Sequence, residues 1–280
     1  MERTLQNIIH SAIQEASKYQ DKVSSLVINN KQECFVTFLV RNSGIVSGTE
    51  VIKEVYRQIN PSITVEILKE EGFYINKGDA IASAKGKMID VLKGSNVVIG
   101  YLQHLSSVTS AADKYLQELV NMDCELVIDN QYTPCYQSLE ENALLNIGCV
   151  LRVNDDNTFI INENHLLING SIRETVEMVR KKHNDAIIEL EVKTKDEYME
   201  ALDTSVNKIT LLNMKDEEVK DLVNEYHENI KIGVSNTYAV GKIRSIAKMG
   251  VDYIIINNLM SNTKGLDVYL KVYKRSVKNK

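Results

Sequence analysis

Four short apolar runs recur at a fixed interval in the second half of the sequence, and this period constrains the fold more than any other feature. They open near Ala186 (Ala-Ile-Ile-Glu-Leu-Glu-Val), Lys208 (Lys-Ile-Thr-Leu-Leu-Asn), Ile230 (Ile-Lys-Ile-Gly-Val-Ser) and Asp252 (Asp-Tyr-Ile-Ile-Ile-Asn), 22 residues apart each time. Amphipathic helical stretches such as 216–227 and 238–249 fill the intervals. Short buried strands alternating with helices on one period predict parallel βα units. Further strand candidates at 126–129, 150–153 and 159–162 bring the total to about seven, enough for a closed or nearly closed α/β barrel. A doubly wound open sheet has the same strand count and stays as the alternative topology.

The first part of the chain has a different texture. Leu5, Ile8, Ile9, Ala12, Ile13 and Ala16 form a helical stripe within 3–19. Strands are predicted at 34–40, 63–68 and 80–84, the last after the turn Asn76-Lys77-Gly78-Asp79. Between the first two, Ser47-Gly48-Thr49-Glu50 opens a second amphipathic helix through Val51, Val55, Tyr56 and Ile59. This is the pattern of a small α+β sandwich. A long proline-free helix over 95–121 carries the chain onward. The predicted division is an N-terminal sandwich domain over 1–106, with a C-terminal helix over 264–280 packing on it, and a barrel domain over 107–263.

Composition removes several function classes. The four cysteines, Cys34, Cys124, Cys135 and Cys149, form no Cys-x-x-Cys pair and have no histidine at ligand spacing, which argues against zinc and for buried thiols. No stretch is apolar for the length of a membrane span, so a cytoplasmic location without membrane attachment is expected. A net charge of −5 gives no electrostatic footprint for nucleic acid. Arg180, Lys181 and Lys182 fall at a predicted helix C-terminus, where they complement its dipole. The basic run Lys271, Lys274, Arg275, Lys278, Lys280 reads as a solvated tail.

In a barrel of this kind function gathers at the strand C-terminal ends. Those ends read Asp129-Asn130-Gln131, Leu151-Arg152, Asn162-Glu163-Asn164-His165, Glu189-Leu190-Glu191, Leu212-Asn213-Met214, Ser235-Asn236-Thr237 and Asn257-Asn258. Polar residues concentrate there, yet Arg152 is the one strong cation. It reads either as a ligand for a carboxylate or as the partner of Glu163 or Glu191 in a structural bridge. His165 suits a loop-holding role, and Glu189 and Glu191 share one face of their strand by alternation. Cys135 and Cys149 lie near the predicted mouth without a histidine in sequence reach.

In that order these strand ends resemble the quinolinate phosphoribosyltransferase family, also called nicotinate-nucleotide pyrophosphorylase. The resemblance also takes in Gly44-Ile-Val-Ser-Gly-Thr-Glu-Val, Asn76-Lys-Gly-Asp-Ala-Ile-Ala, Gln103-His-Leu-Ser-Ser-Val-Thr-Ser, Asp129-Asn-Gln-Tyr-Thr-Pro and Gly250-Val-Asp-Tyr-Ile. It implies a glycosyltransferase of NAD biosynthesis that joins quinolinate to phosphoribosyl pyrophosphate and releases pyrophosphate and carbon dioxide. It also implies a dimer in which the small domain of one copy completes the barrel mouth of the other. Both substrates are multiply anionic, so several fixed cations are required.

Compared position by position, the family's cations are largely replaced. Its Glu-Arg pair at the long helix matches Ser95 and Asn96, and its Arg-Lys pair in the loop after the first barrel strand matches Gln131 and Tyr132. Its His-Arg pair becomes Leu151-Arg152, and the lysine of Lys-Asp-Asn-His becomes Asn162. Glu191 matches a glutamate associated with ribose and Mg2+, but the partner aspartate is replaced by Leu212, next to Asn213. The phosphate-binding Ser-Gly-Gly turn reads Ser235, Asn236, Thr237, and the glycine of the following strand is Asn257; side chains there obstruct close backbone approach. Hydrogen bonds to charged groups contribute roughly 1.5–3 kcal/mol each, so four lost cations amount to about four to eight decades in binding or rate. The expectation is a pseudoenzyme or an enzyme of altered substrate, with Arg152, Glu191, His165, Ser235 and Asn213 as ligand-binding candidates. Glu191 alone is a weak Mg2+ ligand. Expected partners are a second copy or an active paralogue in a mixed dimer, and a small anionic or aromatic ligand, which Tyr132 would stack on.

Overall fold

The computed structural model describes residues 2–18, 22–29, 31–152, 157–225, 229–257 and 259–274. The chain divides into two compact units, the first drawn from Met1–Asp113, Tyr132–Gly148 and Asn262–Lys280, the second from Lys114–Gln131 and Cys149–Ser261. In chain order the elements are α1 (Glu2–Ser17), α2 (Lys22–Val27), β1 (Glu33–Val40), β2 (Gly44–Ile45), α3 (Thr49–Ile59), β3 (Thr64–Ile67), β4 (Tyr74–Ile75), β5 (Ala80–Lys87) and α4 (Met88–Glu118). There follow β6 (Glu125–Ile128), α5 (Gln137–Leu145), β7 (Val150–Leu151), β8 (Thr158–Ile161), α6 (Glu163–Asn169), α7 (Ile172–Lys182), β9 (Ile187–Val192) and α8 (Lys195–Leu202). The last are β10 (Lys208–Leu212), α9 (Asp216–Val223), β11 (Lys231–Asn236), α10 (Ile243–Ala247), β12 (Tyr253–Ile256) and β13 (Val268–Lys274).

In the first unit an antiparallel sheet of order β13-β1-β5-β3 carries the small α+β layer. Alternation along β1 buries Cys34, Val36, Phe38 and Val40, which join Ile9 of α1 and Val51, Ile52, Val55 and Tyr56 of α3 in one core. The helix expected over 264–280 is instead a strand as far as Lys274, paired antiparallel to β1 from Cys34↔Lys274 to Val40↔Val268. Its period is two, with Val268, Leu270 and Val272 on one side and Tyr269, Lys271 and Tyr273 on the other, and the open edge of β1 supplies its hydrogen bonds. Arg275, Lys278 and Lys280 of the expected basic tail lie outside the described residues.

Helix α3 begins where the sequence placed it, but its cap comes from elsewhere. Gly48 sits in the left-handed region at φ 93°, and no local side chain caps the helix. The Glu71 carboxylate, 22 residues away, accepts from the Gly48 and Thr49 N–H groups at 2.7 and 2.9 Å, satisfying donors that a helix start leaves open. Helix α5 is held comparably. Glu140, fully buried, accepts from Thr133 N–H at 2.9 Å and from His104 Nε2 at 2.6 Å, while the Tyr136 ring packs against His104 and Tyr101.

The second unit is a seven-stranded sheet of order β7-β6-β12-β11-β10-β9-β8, every neighbouring pair parallel. The repeat read in the sequence is its four strands β9–β12, and 238–249 is shorter helix than expected, a 3-10 turn at Val240–Lys242 leading into α10. The predicted ends Val153, His227 and Asn258 lie outside the described residues. Among the described residues β7 and β8 do not pair, so the barrel is open between them. The sheet nevertheless curls strongly. In a flat sheet β7 and β9 would be about 24 Å apart, five spacings of about 4.8 Å, yet Arg152, directly after β7, touches Glu189 and Glu191 on β9.

Inside the curl, Thr210, Gly233 and Tyr253 share one row across β10, β11 and β12. The Tyr253 ring lies over Gly233 to reach Thr210, whose Oγ1 is 2.8 Å from the Tyr253 hydroxyl. A Cβ on Gly233 would fall 2.0 Å from that ring. Gly233→Ala is therefore expected to destabilise the protein by about 1–3 kcal/mol through overpacking. Thermal denaturation of Gly233→Ala, Tyr253→Ala and the double variant should show the cost of the alanine relieved once the ring is gone; additive effects would contradict the contact.

A second expectation concerns Glu140. Burial raises its carboxyl, but the bonds from His104 and Thr133 outweigh this and hold it below the ordinary value. A carboxylate with a depressed folded-state pKa contributes stability that is present above its unfolded value, about 4.3, and is lost as pH falls through the folded value. Glu140→Gln should lower the melting temperature at pH 7 and flatten its fall between about pH 4.3 and more acid conditions, as read by melting curves over a pH series.

Candidate active site at the barrel mouth

The C-terminal ends of the parallel strands converge on one group of side chains in the second unit. Asp129 follows β6, Arg152 follows β7, and Glu189 and Glu191 project from β9 to the same side. The Arg152 guanidinium reaches all three carboxylates: Nη2 to Glu189 Oε1 at 2.5 Å and Glu191 Oε1 at 2.7 Å, and Nη1 to Asp129 Oδ1 at 3.4 Å. Its side chain is 8% exposed. One positive charge facing three negative ones leaves the group at a formal −2. Burial pulls the arginine pKa down, but Glu189 and Glu191 outweigh it and raise the pKa, so the guanidinium stays charged.

The network continues inward. Thr210 Oγ1 donates to Glu189 Oε1 at 2.7 Å and meets the Tyr253 hydroxyl on its other side. Burial and the Glu189 charge push that hydroxyl far above its ordinary pKa, which keeps it neutral. Among the described residues, Arg152 Nε is the buried side-chain nitrogen left without a hydrogen-bond partner. An orphaned donor of this kind costs about 1–3 kcal/mol.

The other strand-end residues turn largely toward the chain itself. The Asn257 amide donates to Ser235 Oγ at 3.1 Å, and Ser235 is 1% exposed. Asn213 adopts a left-handed conformation at φ 54°, and its N–H donates to the Ser235 carbonyl at 2.9 Å. Asn236 Oδ1 accepts from the Thr237 N–H at 2.7 Å, so a backbone donor of that turn is taken by the side chain beside it. His165 accepts the Asn162 N–H on Nδ1 at 3.1 Å and closes a capping box on α6. Gln131 is exposed and lies 3.4 Å from Asp129 Oδ2, whereas Tyr132 and Asn96 belong to the first unit, with Asn96 exposed on α4. Leu212 lines a cavity of about 200 Å³ together with Leu166, Leu167, Glu191, Lys193 and Glu163. Lys193 there is ion-paired with Glu163.

The bridge anticipated between Arg152 and Glu191 is present, and the one weighed with Glu163 is not, since Glu163 pairs with Lys193. Sequence reasoning missed Asp129 and Glu189 as partners of Arg152, and missed Thr210, Gly233 and Tyr253 entirely. A signal existed for the last three: each is the polar, small or aromatic interruption of an otherwise aliphatic run in the repeat. The residues do not fit Mg2+. Glu191 is committed to Arg152, its register partner on β10 is Thr210, the nearby Leu212 offers no ligand atom, and among the described residues no three His, Cys, Asp or Glu side chains are placed to hold a metal ion. Cys149 is buried and Cys135 exposed, and no disulfide joins the four cysteines.

Comparison with known proteins gives a consistent result. The chain is 25% identical over 252 residues to a probable nicotinate-nucleotide pyrophosphorylase [carboxylating] of Bacillus subtilis, covering 89% of this chain and 87% of that protein. A similar protein of Methanothermobacter thermautotrophicus is 22% identical, with 96% of this chain and 99% of the relative covered. Among solved structures, NadC from Streptococcus pyogenes superimposes with a TM-score of 0.91 at 19% identity over 99% of both chains. Nicotinate-nucleotide pyrophosphorylase from Ehrlichia chaffeensis gives 0.89 at 24% identity, over 95% of this chain and 98% of the other. The models of the quinolinate phosphoribosyl transferase N-terminal and C-terminal domains match residues 21–106 and 108–271 in turn, and the chain belongs to that family.

Proposed function

We propose that this protein is a catalytically silent member of its family, one whose barrel mouth no longer holds polyanionic substrates. The observation that carries the reading is the state of Arg152. The one cation kept among the strand ends is buried and spent on Asp129, Glu189 and Glu191. A substrate carboxylate or phosphate would have to displace a buried carboxylate to reach it, and would meet a group already negative overall. Gln131, Tyr132, Leu151 and Asn162 supply no replacement charge. The turn at Asn236 and Thr237 and the pair Ser235–Asn257 use their own donors internally, where a phosphate would need them open.

On this reading the protein is a cytoplasmic component of NAD biosynthesis that acts as a homodimer or in a mixed dimer with an active paralogue. The second reading is a working phosphoribosyltransferase that makes nicotinate mononucleotide from quinolinate and phosphoribosyl pyrophosphate. It is favoured by the names of the relatives, probable nicotinate-nucleotide pyrophosphorylases that the chain matches over 87% and 99% of their length. Two experiments separate the readings. Calorimetric titration with quinolinate and phosphoribosyl pyrophosphate, and expression in a strain unable to convert quinolinate, should give no binding in the micromolar range and no rescue. Micromolar binding of both compounds, or growth of that strain, would overturn the silent reading.

The same account sets a stability prediction. Arg152→Met leaves the buried Glu189 and the half-buried Glu191 without their cation and should cost about 3–5 kcal/mol. Replacing both glutamates by leucine in that background should restore much of the loss, because an apolar group of similar volume often substitutes for a buried ion pair without penalty. If denaturation shows Arg152→Met to be neutral, the guanidinium is not held as described.

A further inference from the structure

Away from the barrel, the first unit encloses a cavity of about 420 Å³ between α1, α3, α4 and α5. Its floor is apolar: Val51, Leu105, Leu139 and Ala143 line it, none more than 8% exposed. Its rim is polar, with Ser138, Asn142 and Asn146 along α5 and just beyond it. The charged groups that line it are both carboxylates, Glu50 and Glu71, and no lysine, arginine or histidine is among the lining residues.

Those two carboxylates decide the ligand class. Glu71 uses both oxygens on the start of α3, where it accepts from Gly48 N–H, Thr49 N–H, Thr49 Oγ1 and Ser47 Oγ. Glu50 faces outward and pairs with Lys53 at 2.9 Å. An incoming anion would meet negative charge with no counter-ion, and an incoming ammonium would find no carboxylate oxygen of Glu71 open to it. A volume of this size with an apolar floor and a few convergent polar groups is typical of small-molecule sites.

We propose that this cavity is a binding site for a small neutral molecule with a ring-sized apolar body and one amide-like hydrogen-bonding edge. The body lies on Val51, Leu105, Leu139 and Ala143, and the polar edge meets the rim at the Ser138 hydroxyl and the Asn146 amide. Helix α5 also carries Glu140, which holds His104 and the Thr133 N–H, so an occupant would brace the helix that anchors this loop.

Benzamide and benzoate make a matched pair of probes, one ring with a neutral or a charged edge. Amide chemical shifts of the full chain should move saturably with benzamide, centred on Val51, Leu105 and residues 138–146, and should not move with benzoate. Ala143→Phe, which fills the floor, should weaken benzamide binding by roughly tenfold or more. Ser138→Trp, at a half-buried rim position that the fold tolerates more readily, should do the same by closing the mouth. The proposal is overturned if neither probe binds, if benzoate binds as well as benzamide, or if benzamide binding persists in a folded Ser138→Trp variant.

Discussion

A guanidinium buried among carboxylates organises the second unit. A charge taken out of water is tolerated only when paired and hydrogen-bonded, and Arg152 meets that condition by drawing together residues from β6, β7 and β9. Because β7 is an edge strand and β9 lies near the other edge, the pairing and the curl of the sheet are one fact seen twice. The same contact sets the electrostatics of the mouth. A guanidinium facing water would be a docking point for acidic ligands, whereas one facing three acids is part of the protein's interior.

The row of Thr210, Gly233 and Tyr253 adds packing to this electrostatic closure. A glycine on the central strand leaves room for the neighbouring tyrosine ring, and the ring's hydroxyl extends the polar chain to Glu189 through Thr210. Packing and hydrogen bonding among these residues join β9, β10, β11 and β12 inside the curl. Elsewhere the molecule solves the same problem in the same way. Glu71 occupies the start of α3, Glu140 holds the Thr133 N–H, and Asn236 covers the Thr237 N–H. Backbone donors that would otherwise suit an anion are met by side chains of the protein.

Much of this was legible in the amino-acid order. The 22-residue period gave parallel βα units because apolar runs too short for buried helices and without a solvated face must be covered on both sides. The strand ends named the residues at the mouth, since successive C-terminal ends of parallel strands gather at one side of a sheet. The helical stripe of α1 and the alternation of β1 followed from their periods of 3.6 and 2. The C-terminal segment is a strand and not the expected helix because a short alternating segment has no sheet until β1 offers an edge to it.

What sequence alone determined is therefore the layered α/β plan, the polar strand ends with Arg152 as their one strong cation, and the family to which the chain belongs. Tertiary structure decided which acids claim Arg152, that the sheet curls without closing, and that Tyr253 lies over Gly233. The physical reason is range. Periodicity and local chemistry are fixed by residues a few positions apart, whereas an ion pair between Arg152 and Glu189, 37 residues away, depends on the curvature of a sheet that exists only once every strand is in place.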